Sequence, residues 1–162
     1  MKIRPAMPED LVPLMELRNW YVANSIATFD ETPLSLAGIQ AWFSQFGQGP
    51  HRLLVAEHQS CMLGYSSSQQ YRAHPAFSKT VETSIYVQPA SGRSGVGSAL
   101  YDELFQSIGG QGLHRAVVGI ALPNEPSIRL HEKFGFRSVG VFSEYACKRG
   151  QLISSQWMER AL

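Results

Sequence analysis

The run TVETSIYVQPASGRSGVGSALYDEL, Thr80 to Leu104, restricts the fold of this chain more than any other stretch. Its first eight residues are rich in β-branched and aromatic side chains and read as a strand from Thr80 to Val87. A proline and a glycine-rich turn close that strand. Leu100, Leu104 and Phe105 then fall at helical spacing and predict a helix to about Ile108. Gly92, Gly95 and Gly97 permit positive φ and a close approach of backbone to a ligand. A helix that begins there offers free N–H groups and a partial positive charge. With Arg93 and the hydroxyls of Ser94 and Ser98 as further donors, the turn suits a phosphate or diphosphate. A tight strand-to-helix turn holding no ligand would use the same residues, so the loop alone leaves both readings open. No Gly-Lys-Ser/Thr follows, which excludes a Walker A loop, and the spacing G-x-x-G-x-G departs from the dinucleotide fingerprint.

The rest of the chain supplies elements on either side of this unit. KIRPAM reads as a short strand. PEDLVPLMELRNWYVANS reads as a helix with Leu11, Leu14, Met15, Arg18 and Tyr21 near one stripe. Ser35 is a natural N-cap for a second helix through Leu36, Ile39, Trp42, Phe43 and Phe46. RLLVAE and MLGYSSSQQY form a hairpin pattern ahead of Thr80. After the glycine helix come a strand in HRAVVGIAL, a helix in NEPSIRLHEKF and two strands around the KRGQ turn. The order is strand, two helices, three strands, helix, strand, helix, two strands. That is a mixed α/β (α+β) domain, not a repeated βαβ unit.

Composition narrows the function classes. The chain has 162 residues and a net charge of +1, so a single domain over 1–162 is expected and a strong field for nucleic acid is not. No run approaches the roughly 20 apolar residues of a membrane span, and the N-terminus has no signal-like apolar core. A cytoplasmic protein without membrane or nucleic-acid partners is the expectation. Cys61 and Cys147 stand apart and read as buried or half-buried free thiols. His51, His58, His74 and His114 show no mutual spacing for a metal and read as surface or turn residues, so no metal is expected.

Glu82 stands inside the apolar strand. Val81, Thr83, Ile85 and Val87 share one face of TVETSIYV, which leaves Glu82, Ser84 and Tyr86 on the other. A carboxylate placed there is costly unless paired or useful. By itself it reads as a solvated or salt-bridged strand residue or as an acid–base group.

Downstream, LPNEPSIRLHEKFGF opens a helix near Asn124 and Ser127 and ends it at Gly135. A G-x-G loop before a helix, followed by N-x-x-S-x-x-L-H-x-x-x-G-F, resembles the GNAT superfamily of acyl-CoA N-acyltransferases. IATFDETP, TVETSIYVQP, GVGSALY and QGLHRAVVGIALPNEPSIRLHEKFGF resemble its phosphinothricin / methionine sulfoximine N-acetyltransferase branch. The resemblance runs from about Ile3 to Gly150. It implies the GNAT fold, a mixed central sheet of about seven strands flanked by about four helices.

It also implies roles for particular residues. Ile85, Tyr86 and Val87 would pair with the pantetheine arm of acetyl-CoA. Arg93, Ser94, Gly95, Val96, Gly97 and Ser98 would hold its diphosphate, and Asn124 would also contact it. Glu82 would be the base that deprotonates the acceptor ammonium, and His131 an acid, a second base or an orienting group. Tyr101 is expected to pack or to hold a water. Phe29 and Tyr86 would wall the acceptor pocket, and Arg72 would bind the acceptor's carboxylate.

Two departures from the branch stand out. Its usual arginine is Gly92 here, with Arg93 one place later, which points to altered contacts with the diphosphate. Its K-x-G-x-W-x-D becomes Lys148, Gly150, Leu152 and Ser154, in a segment that in relatives shapes the acceptor site and the dimer contact. That change counts against phosphinothricin or methionine sulfoximine themselves as acceptors.

The implied activity is acetyl-CoA-dependent acetylation of the primary amine of a small amino acid or analogue, by direct attack in a ternary complex, in a homodimer. The competing readings are a non-catalytic acyl-CoA-binding regulatory domain and an acetyltransferase for a polyamine or antibiotic. Few acids near the expected pocket argue against a polycation.

Overall fold

The computed structural model describes residues 1–91 and 94–162. Seven strands and four helices follow in the expected order. They are β1 (Lys2–Pro5), α1 (Leu11–Asn24), α2 (Leu36–Phe43), β2 (Arg52–His58), β3 (Cys61–Gln70) and β4 (Thr80–Val87). Then come α3 (Val96–Ile108), β5 (Arg115–Ala121), α4 (Glu125–Lys133), β6 (Arg137–Lys148) and β7 (Gln151–Ala161). The strands form one sheet in the order β1-β2-β3-β4-β5-β7-β6. Only the β4–β5 pair is parallel.

β2 shows why helices cover both faces. Leu53 and Val55 join Leu14, Leu17 and Ile39 under α1 and α2. The alternating residues Leu54 and Ala56 join Val96, Leu100 and Leu104 of α3 on the other face. A third cluster unites Val81, Val118, Ile120 and Met158 with Ile128 of α4, so α3 and α4 lie on the same side of the sheet. Each such buried aliphatic side chain contributes about 1.5–3 kcal/mol of transfer free energy.

Local signals set the element ends. The Ser35 hydroxyl accepts a hydrogen bond from Gly38 N (3.1 Å) and caps α2 as expected. That helix stops at Phe43 rather than Phe46, because Gln45 N and Phe46 N bond back three residues and tighten the final turn. Trp42 and Phe46 still meet edge to face at 4.9 Å. Before α1, Asp10 is held by a two-pronged contact from the Arg4 guanidinium (2.7 and 2.9 Å), which also donates to Glu57. Both cysteines are exposed rather than buried. Cys61 opens a strand at its hairpin and Cys147 is near the end of an edge strand, where alternation turns the side chain outward.

One glycine is demanded by the pairing of β3 with β4. Gly64 lies opposite Val87, and a Cβ there would stand 2.5 Å from the Tyr86 carbonyl oxygen and 3.0 Å from Val87 Cα. Because backbone meets backbone, no rotamer change can relieve the contact. Gly64→Ala should lower stability by about 1–3 kcal/mol in urea unfolding, as overpacking does. An unchanged midpoint would show that β4 moves freely at Tyr86.

Candidate active site

β4 and β5 pair over only three residues, Thr80↔Arg115, Val81↔Ala116 and Glu82↔Val117. Beyond them β4 stays with β3 as far as Val87, and β5 stays with β7 as far as Ala121. The two strands therefore part after Glu82, and the edge of β4 that faces β5 has no strand partner from Thr83 onward. The opening is a cleft of about 500 Å³.

Glu82 marks the point of parting and lines the cleft. Among the described residues no ion pair engages it. Burial alone pushes its carboxyl above the usual range, since desolvation disfavours the charged form. A carboxylate so placed accepts a proton more readily than a solvated one.

Tyr86 lies on the opposite face of β4 from the α3 core and faces the cleft. Its ring stacks on Tyr65 at 5.3 Å, and its hydroxyl donates to the Ala27 carbonyl (3.1 Å). Burial raises it to about 12, so it stays a neutral phenol. Ile85 also lines the cleft, while the Val87 carbonyl accepts from Tyr21 Oη (2.7 Å).

Phe29 is in the cleft wall and meets Tyr145 of β6 edge to face at 6.0 Å. The loop that carries it is tied down from the β6–β7 hairpin. Lys148, only 4% exposed, donates through Nζ to the carbonyls of Ser25 (2.6 Å) and Thr28 (2.8 Å). Arg149 N donates to Glu31 (2.9 Å). Leu152 is exposed and Ser154 accepts from Glu144 N, and neither is among the cleft-lining residues. Arg72 is exposed, stacked over Tyr71 and Phe77, and the structure does not bring it to the cleft.

His131 is 1% exposed and reaches the base of the cleft from α4. Nδ1 meets the Ser127 carbonyl at 2.7 Å, which can only accept, so Nδ1 carries the proton. Nε2 then accepts from Tyr101 Oη at 2.7 Å. Tyr101, fully buried, also lies 3.4 Å from Thr83 Oγ1. The pair joins α3, α4 and β4 where the strands part. Burial holds His131 below the ordinary histidine range, against the raising effect of the Ser127 carbonyl, and keeps it neutral.

At the far end of β4, Gly95 takes φ +79° as the residue before α3, with no side-chain cap. The first bond of that helix runs from Ala99 N to Gly95 O, so the N–H groups ahead of it have no partner within the helix. Gly97 lies beneath Leu130, where a Cβ would come within 3.1 Å of Cδ2. Ser94 Oγ donates to the Ser91 carbonyl, and Ser98 Oγ accepts from Lys133 Nζ (2.9 Å). Lys133, absent from the sequence expectation, thus adds a cation beside the loop. Arg93 and Gly92 lie outside the described residues. Asn124 lines the cleft while its Oδ1 accepts from Ser127 N (3.3 Å) to cap α4.

Sequence reasoning missed Arg18, Trp42, Tyr145 and Trp157, which also line the cleft. Arg18 carried a signal, a cation within an apolar helical stripe; Trp157 carried none until β7 was placed beside β5. Its ring covers Gly119, where a Cβ would meet it at 3.0 Å. Among the described residues no cluster of metal-ligating side chains occurs. No described helix is long and apolar enough to cross a membrane.

A sheet split beneath one carboxylate, with an open helix end beyond the free strand edge, is the frame of an acyl-group transferase. The profile of the acetyltransferase (GNAT) family matches residues 14–136, and the chain belongs to that family. A phosphinothricin N-acetyltransferase of Streptomyces coelicolor is 45% identical over 100% of this chain and 96% of its own length. An L-methionine sulfoximine/L-methionine sulfone acetyltransferase of Pseudomonas aeruginosa is 34% identical over 97% of this chain and 92% of its own. A solved GNAT phosphinothricin acetyltransferase of Sinorhizobium meliloti, in complex with acetyl-CoA, superposes with TM-score 0.94 at 30% identity. That match covers 99% of this chain and 88% of the other.

The histidine yields a prediction on stability. Its imidazolium is disfavoured only in the folded state, so its contribution is complete above about pH 6.5 and is lost as pH falls through the lowered folded value. The melting temperature of the wild-type chain should fall between pH 7 and pH 5, and His131→Gln should flatten that slope. Equal slopes in the two proteins would mean that His131 is not held neutral.

Proposed function

We propose that the chain is an acetyl-CoA-dependent N-acetyltransferase for the primary amine of a small amino acid or analogue of the phosphinothricin or methionine sulfoximine kind. The carrying observation is Glu82, desolvated at the point where β4 and β5 part, beside a strand edge leading to an uncapped helix end. The residues present fit acetyl-CoA. The free edge of β4 around Ile85 to Val87 offers backbone partners to an amide-bearing arm, as β-addition does. The N–H groups at Gly95 to Ser98, with Lys133, suit a diphosphate. Acetyl-CoA supplies the activated acetyl group as a thioester.

Glu82 removes a proton from the acceptor ammonium, which makes the amine a nucleophile. Holding amine and thioester together in one cleft lowers the entropic barrier, by on the order of 7–11 kcal/mol when alignment is good. His131, neutral and bonded at both ring nitrogens, is held at the base of the cleft by the buried Tyr101 hydroxyl and the Ser127 carbonyl. Phe29 and Tyr86 wall the acceptor side, and Glu82 is the single carboxylate in the lining among the described residues, which disfavours a polycation. The exposed Val139, Val141 and Phe142 along the edge strand β6 support a homodimer, and a consumer of acetyl-CoA belongs in the cytoplasm.

Thiol release from acetyl-CoA with a panel of amino acids and analogues tests the reading. Activity should rise with pH as Glu82 loses its proton above the ordinary carboxylate range. Glu82→Gln should lower turnover by about 10²–10⁴-fold at unchanged acetyl-CoA affinity. Full turnover in that variant from pH 6 to 9 would reject the base. Val141→Asp should give a monomer in analytical ultracentrifugation, and an unaltered sedimentation coefficient would reject the β6 contact.

A further inference from the structure

Arg18 stands on α1 among Leu11, Leu14, Met15 and Tyr21, the stripe that packs on the sheet. A guanidinium on that stripe does not point to open water, and its side chain is 21% exposed. It lies over the Trp42 ring, 4.5 Å from the centroid. The nearest carboxylate among the described residues, Asp30 on an exposed site, is 3.8 Å away, too long for a hydrogen bond. Arg18 therefore keeps donors for another acceptor. Of the described residues lining the cleft it is the one Arg or Lys, as Glu82 is the one Asp or Glu. Tyr86 lies within the field of both, with Arg18 lowering and Glu82 raising its proton affinity.

Resting on the N-acetyltransferase reading, we propose that Arg18 binds an anionic group of the acceptor, a carboxylate or phosphinate, and so selects acidic amines. The planar fork of Arg18 matches a two-oxygen anion, and its stacking on Trp42 fixes the fork's plane without using its N–H donors. Amine at Glu82 and anion at Arg18 then orient the acceptor within one cleft. The sequence expectation gave this role to Arg72, whose guanidinium is stacked outside the cleft.

The experiment compares wild-type, Arg18→Met and Arg18→Lys proteins with phosphinothricin, methionine sulfoximine, the methyl esters of both, and 3-aminopropyl(methyl)phosphinic acid. Thiol release and calorimetric binding to the CoA-loaded protein are both read. In the wild type the free acids should surpass their esters by at least about tenfold in kcat/KM or in Kd. Arg18→Met should erase that preference, chiefly through KM, with the esters little changed, and Arg18→Lys should restore part of it. Loss confined to the α-acids identifies the carboxylate, and loss on the phosphinic amine identifies the phosphinate. An equal fall on acids and esters with no loss on the phosphinic amine, or binding of acids unaltered by Arg18→Met, overturns the proposal. Arg18-dependent binding with no thiol release by any acceptor would sink the transferase reading and leave the anion site standing. Absence of binding by every acid would overturn the anion site itself.

Discussion

The cleft in this chain depends on where β4 and β5 stop pairing. A parallel pair of seven- and eight-residue strands could continue to the ends of both, yet it ends after three residues. Each strand is held by its outer neighbour, β3 for one and β7 for the other, and each is backed by its own helix. The unpaired backbone that results would be costly in a closed core. It is tolerable because a cleft lies beside it and leaves those backbone groups open.

The base of the split is fixed by a polar contact. Tyr101 and His131 come from different helices, and their 2.7 Å hydrogen bond is flanked by Phe105, Phe134 and Phe136. In such surroundings an unmatched hydroxyl or ring nitrogen is expensive, so the pair fixes the relative position of α3 and α4. Glu82 faces the same cleft with no charged partner among the described residues, and desolvation by burial raises its proton affinity. One group has partners at both ring nitrogens, and the other is desolvated without an ion pair among the described residues.

The cleft wall at Phe29 is assembled from distant segments. Phe29 comes from the loop after α1, and Lys148 holds that loop from more than a hundred residues away. The lysine of the KRGQ turn was legible as a motif, but its task was not, because a carbonyl partner leaves no trace in sequence. Arg72 shows the converse. Its neighbour Tyr71 offered an aromatic face, and stacking there removed the guanidinium from the cleft. Arg18 took the inward position because its helical stripe is the buried one.

Short-range rules made the seven strands, four helices and glycine loop readable in advance, since alternation, helical spacing and caps act within a few residues. Glu82 was legible for the same reason, as a charge within a strand. What tertiary structure alone decided is which side chains meet: Arg18 with Trp42, His131 with Tyr101, Trp157 over Gly119, Lys148 with the Phe29 loop. Those meetings depend on register and on the place where two strands part. Both bring together residues far apart along the chain, so no pattern confined to neighbouring residues names the partners.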